Sequence, residues 1–369
     1  MSTTASTPTR TGGVLAVHAH PDDETLSTGA LLATWAAAGL PATVVTCTRG
    51  ERGEVIGAAL AALEGDGLAL AGHRESEIAA AATALGATQV FLDTLPLPAD
   101  LAERADDVPS GPVEGTSAAR SAGGARYEDS GMAWVGTGQA GAAADVPAGA
   151  LVAVPLDEAA GRLAGLLRTR RPDLVVTYEP GGGYGHPDHV RAHAITMRAV
   201  DLAADGGADT EADLGGVAGA GPAADAGAER WTPAVAWAVA PAAALRAGYA
   251  ALASDPGARA VLAGAADDRR ATREGPLQLP DPDGPLPSVA TDAPADLVVD
   301  VLPVRDRVLA ALRAHATQVQ VVTPLDHPDA AGCYALSNLV LAPLLPAESY
   351  AWAPGRAPAR PLRLPPGAR

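Results

Sequence analysis

The sequence predicts an α/β fold in which a Rossmann-like, mostly parallel sheet carries helices on both faces. Short apolar runs alternate with longer segments of helical character between residue 14 and about residue 200. Buried parallel strands carry continuous apolar runs of this kind, and the crossovers between parallel strands are usually helices. The chain has 369 residues, of which 48% are hydrophobic, so it is long enough to bury a large core around such a sheet.

The predicted elements of this core follow one another in strand–helix order. Strands are predicted at residues 14–17, 42–47, 89–92 and 174–178. Helices are predicted from about residue 24 to Gly39, over 74–85 and 155–168, and from Pro187 onwards, because proline favours the first helical position. A further strand at 234–239 and a helix at about 303–317 are expected in the C-terminal portion.

Segments rich in Ala, Gly and Pro interrupt this order and divide the chain. We expect a catalytic core over 12–200 with an insertion at about 96–150, and a C-terminal portion over 230–350 that completes the site. Residues 201–229 hold seven acidic and no basic residues, which predicts a flexible, solvated insertion. The Pro- and Arg-rich tail over 354–369 is expected to be loose.

Charge and composition exclude several classes of function. The net charge of −17 argues against partners that are nucleic acids or anionic membrane surfaces. Lysine is absent, which excludes lysine Schiff-base catalysis and a Walker-type phosphate loop. Cys47 and Cys333 are too few for a disulfide framework or a Cys-rich zinc site. With no signal peptide and no membrane-spanning run in the sequence, we expect a cytoplasmic protein, and its oligomeric state does not follow from these features.

Two short motifs carry the residues that favour catalysis. Residues 20–23 read His-Pro-Asp-Asp, and residues 186–189 read His-Pro-Asp-His. Each motif follows a predicted strand and immediately precedes a helix. In an open parallel sheet, ligands bind beyond the carboxyl ends of the strands, at the point where the strand order reverses. If the first and fourth strands are neighbours at that point, the two motifs face each other across one crevice.

The residue types in these motifs fit a catalytic zinc ion, which takes three His or Asp/Glu ligands and keeps one position open for water. His20 and Asp23 lie in one strand-to-helix turn, and His189 can supply a third ligand from across the crevice. Asp22 is adjacent to a ligand but must point elsewhere, so its carboxylate is free to take a proton from a water that the ion has acidified. Fe²⁺ accepts the same donors as Zn²⁺.

Other interpretations of the same residues remain open. His-Pro-Asp is also turn chemistry, in which Asp23 would only cap a helix. His189 and His193 are four residues apart, which is the spacing of helical zinc pairs, so His193 is a rival ligand. The protein could also be a sugar- or metal-binding module without catalysis, although binding alone requires no base such as Asp22 beside the ligands.

At this point the sequence resembles a known family. Residues 17–24 and 183–189, which contain the two motifs, are similar to the LmbE/PIG-L family of zinc-dependent N-acetylglucosamine deacetylases. The resemblance continues through other ordered parts of the chain, at residues 44–48, 53–57, 74, 129–132 and 314–318. It implies a hydrolase with an LmbE-like fold that binds one zinc ion per subunit and cleaves the amide of an amino sugar.

The resemblance also implies roles for individual residues. His20, Asp23 and His189 would ligate zinc, and Asp22 would be the general base. Two further catalytic residues are implied: His186 would stabilise or protonate the tetrahedral stage, and Tyr184, which follows a glycine-rich loop, would assist at the oxyanion. Whether Asp22 or His186 protonates the leaving amine is open.

Substrate contacts are predicted at three positions around this crevice. Arg74 is expected to open a helix and to hold sugar hydroxyls, with a solvated helix charge as the alternative. Asp129 is either a sugar-binding carboxylate or a turn residue, and Glu51 is preferred to Glu54 in the loop after the second strand. His315 either closes the site from the C-terminal portion or is an ordinary residue at a helix end.

The subfamily resemblance implies the substrate. The stretches at 53–57, 129–132 and 315–318 point to members that convert N-acetylglucosaminyl-inositol to glucosaminyl-inositol and acetate in mycothiol biosynthesis. The alternatives within the family are an amidase that cleaves mycothiol S-conjugates and another amino-sugar deacetylase.

Overall fold

Alternate residues of the first strand face two different hydrophobic cores, which places this strand in the middle of the fold. Val14 and Ala16 belong to the core on one side of the sheet, and Leu15 and Val17 to the core on the other side. The structure is a computed structural model that describes residues 12–97, 126–136, 139–205, 231–268 and 276–369.

The strands of the structure are β1 (Val14–His18), β2 (Ala42–Thr46), β3 (Thr88–Phe91), β4 (Met132–Gly136), β5 (Gln139–Ala142), β6 (Leu174–Thr177), β7 (Ala234–Pro241), β8 (Ala290–Thr291), β9 (Leu297–Asp300), β10 (Gln320–His327), β11 (Ala330–Ala335), β12 (Leu341–Leu344) and β13 (Ala347–Trp352). The helices are α1 (Asp23–Ala37), α2 (Gly67–Leu85), α3 (Leu156–Arg170), α4 (Pro187–Asp205), α5 (Ala242–Ser254), α6 (Pro256–Asp268) and α7 (Arg305–Ala314). A short helical turn, Gly182–Gly185, precedes α4. None of these helices is long and apolar enough to cross a membrane.

The main sheet has the strand order β3-β2-β1-β6-β7-β13-β9, and β8 pairs with β7. The pairs from β3 to β7 are all parallel, whereas β13 is antiparallel to both of its neighbours. The order reverses between β1 and β6, so the first and fourth predicted strands are neighbours as expected. The predicted fold class, a mostly parallel sheet with helices on both faces, is confirmed.

The helices cover the sheet in two layers. Helices α1, α2 and α7 pack on one face, and α3 and α4 pack on the other. A smaller antiparallel sheet, β10-β11-β12, has its own core, which it shares with α5 and α6. Because β7, β9 and β13 continue the main sheet, the C-terminal portion and the core predicted over 12–200 share one sheet.

Helix α1 is broken in its middle, and the C-terminal portion stabilises the break. Thr28 has a non-helical backbone with φ of −141°. The carboxylate of Glu348 on β13 accepts hydrogen bonds from the backbone N–H groups of Ala30 (2.7 Å) and Leu31 (2.8 Å), and from the hydroxyl of Tyr350 (2.7 Å). Glu348 therefore acts as an N-terminal cap for the second half of α1, where backbone donors lack partners within the helix.

Two helix boundaries differ from the sequence prediction. The helix predicted from Arg74 begins one to two turns earlier at Gly67, because the Asp66 side chain accepts the Ala69 N–H and caps it. The helix predicted to reach residue 317 ends at Ala314. Within the tail over 354–369, which is expected to be loose, residues 367–369 pair with β9 through backbone hydrogen bonds. The looseness of the rest of the tail stays a prediction.

The predicted insertions are described only in part. Residues 98–125 and 137–138 of the segment 96–150 lie outside the described residues, and β4 and β5 pair as a hairpin on either side of the second gap. Most of the acidic stretch 201–229 also lies outside them. Its expected flexibility stays a prediction.

Replacing Glu348 by alanine should destabilise the fold. The Glu348→Ala variant leaves two backbone N–H groups of α1 without their carboxylate acceptor, so we expect a loss of about 1–3 kcal/mol in the free energy of unfolding. Urea denaturation followed by circular dichroism measures this loss. Asp326→Ala is the control, because that exposed carboxylate pairs only on the surface with Arg305, and it should change stability by less than about 0.5 kcal/mol. Equal effects of both variants would contradict the capping role.

Candidate metal centre

The two sequence motifs meet at the carboxyl edge of the sheet. Strands β1 and β6 run parallel and in register, so the turns that follow them leave the sheet at the same edge. His20, His186 and His189 each place a ring nitrogen within 4.8 Å of the others, and all three side chains are buried. The juxtaposition predicted from the strand order is therefore present.

Three atoms from these turns form a nearly equilateral triangle. His20 Nδ1 lies 3.4 Å from Asp23 Oδ2, His189 Nε2 lies 3.4 Å from the same oxygen, and the two nitrogens are 3.3 Å apart. A tetrahedral ion with bonds of 2.0–2.1 Å requires ligand atoms about 3.3–3.4 Å apart. The separations therefore fit a tetrahedral divalent cation with its fourth position directed away from the triangle.

The tautomers of the two imidazoles strengthen this fit. His189 Nδ1 lies 3.1 Å from the carbonyl oxygen of Gly182, which only an Nδ1–H can satisfy. His20 Nε2 lies 3.3 Å from Asp188 Oδ2 and donates its proton there in the same way. In the neutral rings, His20 Nδ1 and His189 Nε2 thus direct lone pairs at each other and at a carboxylate. Such an arrangement is repulsive unless a cation or a proton lies between them.

Tyr178, at the end of β6, fixes two members of the triangle. Its hydroxyl donates to Asp23 Oδ2 (2.7 Å) and accepts the backbone N–H of Ala19 (2.9 Å), and its ring stacks on His189 with 4.2 Å between centroids. Burial by itself would raise the pKa of Asp23, but His189 and His20 beside it lower this pKa well below its usual value. Asp23 is therefore an anionic donor in a fixed position.

Asp188 and Asp129 form a second group of possible ligands with His20. The Asp188 carboxylate is already occupied, since one oxygen accepts the Ser130 N–H at 2.9 Å and the other accepts the Ser130 hydroxyl. Asp129 Oδ1 accepts the Gly131 N–H at 2.8 Å and lies 3.7 Å from His20 Nε2. These carboxylates fit the role of orienting His20 better than that of holding an ion.

His186 presents a donor rather than a ligand atom toward the site. Its Nδ1 accepts the backbone N–H of Asp188 at 3.1 Å, so the neutral ring must carry its proton on Nε2. Burial, followed by the neighbouring His20 and His189, lowers the pKa of His186 to about 2. A neutral imidazole with an Nε2–H is suited to stabilising negative charge on a substrate oxygen.

Asp22 occupies an unusual backbone position beside the triangle. Its φ is 111°, in the left-handed region that costs a non-glycine residue on the order of 1–3 kcal/mol. It is the N-cap residue of α1, yet its side chain makes no capping hydrogen bond. The Asp23 carboxylate accepts the His20 N–H (2.9 Å) and the Tyr178 hydroxyl (2.7 Å). Burial, with Asp23 as the next contribution, raises the pKa of Asp22 to about 8, and a cation bound at the triangle would act in the opposite direction.

The glycine-rich turn before α4 carries Tyr184 to the edge of the site. Gly182 has φ of +71°, and a Cβ at this position would lie 2.8 Å from the backbone nitrogen of Val190, so only glycine fits here. The Tyr184 ring, half-buried, lies 5.0 Å from the His189 ring and 6.0 Å from the His186 ring between centroids. The ring of Tyr184 therefore lies beside both histidines of the second motif.

Arg74 occupies a different position in its helix from the predicted one. It sits within α2 rather than at the start, and it is 1% exposed rather than solvated. Its guanidinium donates to the carbonyl oxygens of Gly50 (2.5 Å) and Glu54 (3.0 Å) and to the hydroxyl of Thr317 (3.2 Å). Arg74 therefore braces the loop after β2 against the segment after α7, and contact with a substrate stays a prediction.

Glu51 and Asp129 lie together, with Asp129 close to His20. Glu51 Oε2 accepts the backbone N–H of Asp129 at 3.1 Å, and Asp129 Oδ2 accepts the N–H of Arg52 at 3.3 Å. Burial raises the pKa of Glu51. Asp129 accepts the N–H of Gly131 two residues further on, as a turn residue does, and it also lies near His20. Its contact with a sugar stays a prediction.

The two remaining histidines of interest do not join the triangle. His193 Nδ1 donates to the carbonyl oxygen of Tyr178 at 2.8 Å, and its ring contacts Trp237, so it belongs to neither possible ligand group among the described residues. His315 is fully buried and lies 2.7 Å from Glu24 Oε1. It stands at the end of α7, as one of the two sequence interpretations has it, but it is buried against α1 rather than solvated.

Four residues that the sequence reasoning did not assign help to build the site: Tyr178, Asp188, Ser130 and Glu24. Asp188 stands inside the second motif, and Tyr178 is a polar residue at the end of a buried strand, so each carried a local signal. Ser130 and Glu24 act through partners that are far away in sequence, which no local pattern reveals.

Comparison with known proteins gives a consistent result. The family described as "PIG-L: GlcNAc-PI de-N-acetylase" matches residues 15–200. A 1D-myo-inositol 2-acetamido-2-deoxy-alpha-D-glucopyranoside deacetylase from Kineococcus radiotolerans is 40% identical over 338 residues, covering 91% of this chain and 76% of the relative. The protein of the same name from Rhodococcus erythropolis is 38% identical over 347 residues, covering 93% and 91%. Among solved structures, N,N'-diacetylchitobiose deacetylase from Pyrococcus horikoshii aligns with a TM-score of 0.36 and 19% identity over 61% of this chain and 59% of that chain.

Removing the charge of Asp188 should weaken metal binding without touching a triangle atom. In Asp188→Asn, His20 loses the carboxylate that fixes its tautomer, so we expect affinity for Zn²⁺ to fall by about 10–100-fold. Titration of metal-free protein in competition with a chelating dye measures the affinity. Asp173→Asn is the matched control, because that carboxylate accepts the Gly13 N–H at the opposite edge of the sheet. An unchanged dissociation constant in Asp188→Asn would contradict this orienting role.

Proposed function

The chain belongs to the PIG-L family, and we propose that it hydrolyses the acetamide of N-acetylglucosaminyl-inositol to glucosaminyl-inositol and acetate. The predicted membership of the LmbE/PIG-L family and the predicted deacetylase class are confirmed by the family match and by the names of the relatives. The choice of substrate follows those names, which describe an acetamido sugar joined to inositol. The observation that carries the proposal is the triangle of His20 Nδ1, Asp23 Oδ2 and His189 Nε2.

The family is metal-dependent, and His20, Asp23 and His189 would hold the ion. Two imidazoles and one carboxylate are a donor set that zinc uses in hydrolases, so we assign Zn²⁺, one per chain, with Fe²⁺ as the alternative. A divalent cation bound there supplies Lewis-acid chemistry, since it polarises an amide carbonyl and makes water more acidic. His20, Asp23 and His189 act only as metal ligands in this proposal.

Asp22 is the general base in this proposal. Asp22 directly precedes the ligand Asp23 in the chain, and its carboxylate is not used as a helix cap, so we assign it the proton of the attacking water. The same carboxyl group then gives this proton to the amine nitrogen as the C–N bond breaks. His186 fits that second step less well, because its low pKa keeps the ring neutral.

His186 and Tyr184 stabilise the oxygen on which negative charge develops. The backbone N–H of Asp188 donates to His186 Nδ1, so the ring carries its proton on Nε2. Tyr184 lies in the glycine-rich turn and supplies its hydroxyl from there. Burial, and then the carboxylates of Asp23 and Asp22, raise the pKa of Tyr184 well above its usual value, so this hydroxyl keeps its proton. Removing one such donor typically costs on the order of 10²–10³ in kcat.

The amino sugar and its inositol would lie between the triangle and the wall formed by Glu51 and Asp129. Carboxylates are suitable acceptors for sugar hydroxyls, and Arg74 holds the loop that carries Glu51. Cys47 and Cys333 are both free and buried, which is compatible with a reducing cytoplasm, the compartment that we assign.

The first test is hydrolysis by the metal-loaded wild-type protein. Incubation with N-acetylglucosaminyl-inositol should release acetate and glucosaminyl-inositol, a chelator should abolish the reaction, and added Zn²⁺ should restore it. Liquid chromatography follows the products, and elemental analysis of the protein as purified distinguishes zinc from iron. Much faster turnover of a mycothiol S-conjugate than of the acetyl sugar would instead support the amidase alternative.

The second test separates catalysis from binding. In Asp22→Asn the triangle is intact, so bound metal per chain should match the wild type, whereas kcat should fall by about 10²–10⁴-fold because no base accepts the proton. Asp173→Asn is again the control. Full turnover by Asp22→Asn at unchanged metal content would refute the base and favour a different proton acceptor.

A further inference from the structure

A buried ion pair lies directly behind the general base and has no assigned role. His315, which follows α7, and Glu24, in the first turn of α1, are both fully buried, and His315 Nε2 lies 2.7 Å from Glu24 Oε1. The two residues are 291 positions apart in sequence. Neither side chain is exposed to the crevice, so the pair does not contact a substrate.

The other oxygen of Glu24 reaches the base itself. Glu24 Oε2 accepts the backbone N–H of Asp22 at 3.0 Å. The Asp22 carbonyl oxygen accepts the N–H groups of Thr25 (3.0 Å) and Leu26 (2.9 Å), which begin α1. Both peptide groups of Asp22 are therefore held, one by the helix and one by the Glu24 side chain.

This restraint coincides with the backbone strain at Asp22. With φ at 111° and ψ at −33°, an L-residue relaxes toward negative φ unless its surroundings prevent it. Tyr178 holds Asp23, and Asp188 holds His20, so these neighbours of Asp22 stay in place when its backbone rotates. Such a rotation would therefore redirect the Asp22 side chain. The geometry of the base therefore depends on the hydrogen bond from its own backbone to Glu24.

We propose that Glu24 and His315 are positioning residues: His315 orients the Glu24 carboxylate, which holds the Asp22 backbone in its left-handed conformation and so directs the base at the reacting water. The proposal rests on the function proposed above. It explains why a histidine from the C-terminal portion is buried against the first turn of α1. The pair acts through Asp22 and not on the substrate.

The hydrogen bonds of Glu24 and His315 predict which substitutions are tolerated at these two positions. Glu24 Oε1 accepts from the Thr25 hydroxyl (2.5 Å) as well as from His315. A glutamine at position 24 retains one oxygen for the Asp22 N–H. Its NH2 group can donate to the Thr25 hydroxyl oxygen, and to His315 Nε2 when that ring carries its proton on Nδ1. A glutamine at position 315 retains an N–H donor for Glu24. Alanine at either position retains neither.

The experiment compares Glu24→Ala, Glu24→Gln, His315→Ala and His315→Gln with a matched control. The control is Glu348→Ala, which also removes a carboxylate bonded to α1 backbone N–H groups, but beyond the break at Thr28. With Zn²⁺-loaded protein and N-acetylglucosaminyl-inositol, kcat per bound metal should fall by about tenfold or more in both alanine variants, with KM changed less than about twofold. The glutamine variants should recover most of the loss, and Glu348→Ala should keep wild-type kcat at lower stability.

A second readout uses metal-free protein and does not depend on activity. Hydrogen exchange of the Asp22 amide, followed by mass spectrometry of the peptide around residues 19–27, should be at least about tenfold faster in Glu24→Ala than in the wild type. Glu348→Ala should leave exchange at Asp22 unchanged. If an alanine variant does not fold, the glutamine variants provide the same comparison at smaller amplitude.

The outcomes separate the two proposals. Wild-type kcat per metal in Glu24→Ala and His315→Ala, or unchanged exchange at Asp22, would overturn the positioning role. An equal loss of kcat in Glu348→Ala would overturn it as well, because the effect would then be one of general stability. If the wild type releases no acetate, the proposed function fails, and the exchange measurement alone still decides whether the pair holds Asp22.

Discussion

Two imidazole lone pairs and a carboxylate converge in the interior of this protein, and the surrounding residues hold them together despite their mutual repulsion. Tyr178 fixes Asp23 and stacks on His189, while Asp188 and the Gly182 carbonyl determine which nitrogen of each ring carries a proton. Each of these partners is buried or half-buried, so water screens the site poorly. A positive charge at the triangle removes the conflict, which is why the arrangement implies a cation.

The sheet topology brings the metal ligands together through two short turns. Because β1 and β6 are parallel neighbours at the reversal of strand order, one turn after each strand is enough to assemble the triangle. The remaining strands continue the same sheet, and the segment after α7 returns to α1 through His315. The first turn of α1 is thus the meeting point of the metal ligands, the base and the C-terminal portion.

The sequence predicted the fold class and the meeting of the two motifs, because both depend on local signals: apolar runs of strand length and polar residues at strand ends. The prediction begins α2 at Arg74, whereas the Asp66 side chain caps the helix at Gly67, seven residues earlier. The sequence could not predict that Arg74 is buried, since its partners Gly50 and Thr317 come from two distant loops. The pairing of Glu24 with His315 spans most of the chain and has no periodic signature. The ligand and base assignments themselves stay predictions until metal binding is measured.

The backbone pairing of residues 367–369 has a consequence for solubility. Strand β9 lies at the border of the main sheet, with β13 on one side only. On its other side, Val298 exchanges two backbone hydrogen bonds with Arg369, and the Asp300 N–H bonds to the Gly367 carbonyl. Unpaired border strands are templates for intermolecular association. The last three residues therefore shield this border, and trimming them would open a row of backbone groups to self-association and aggregation.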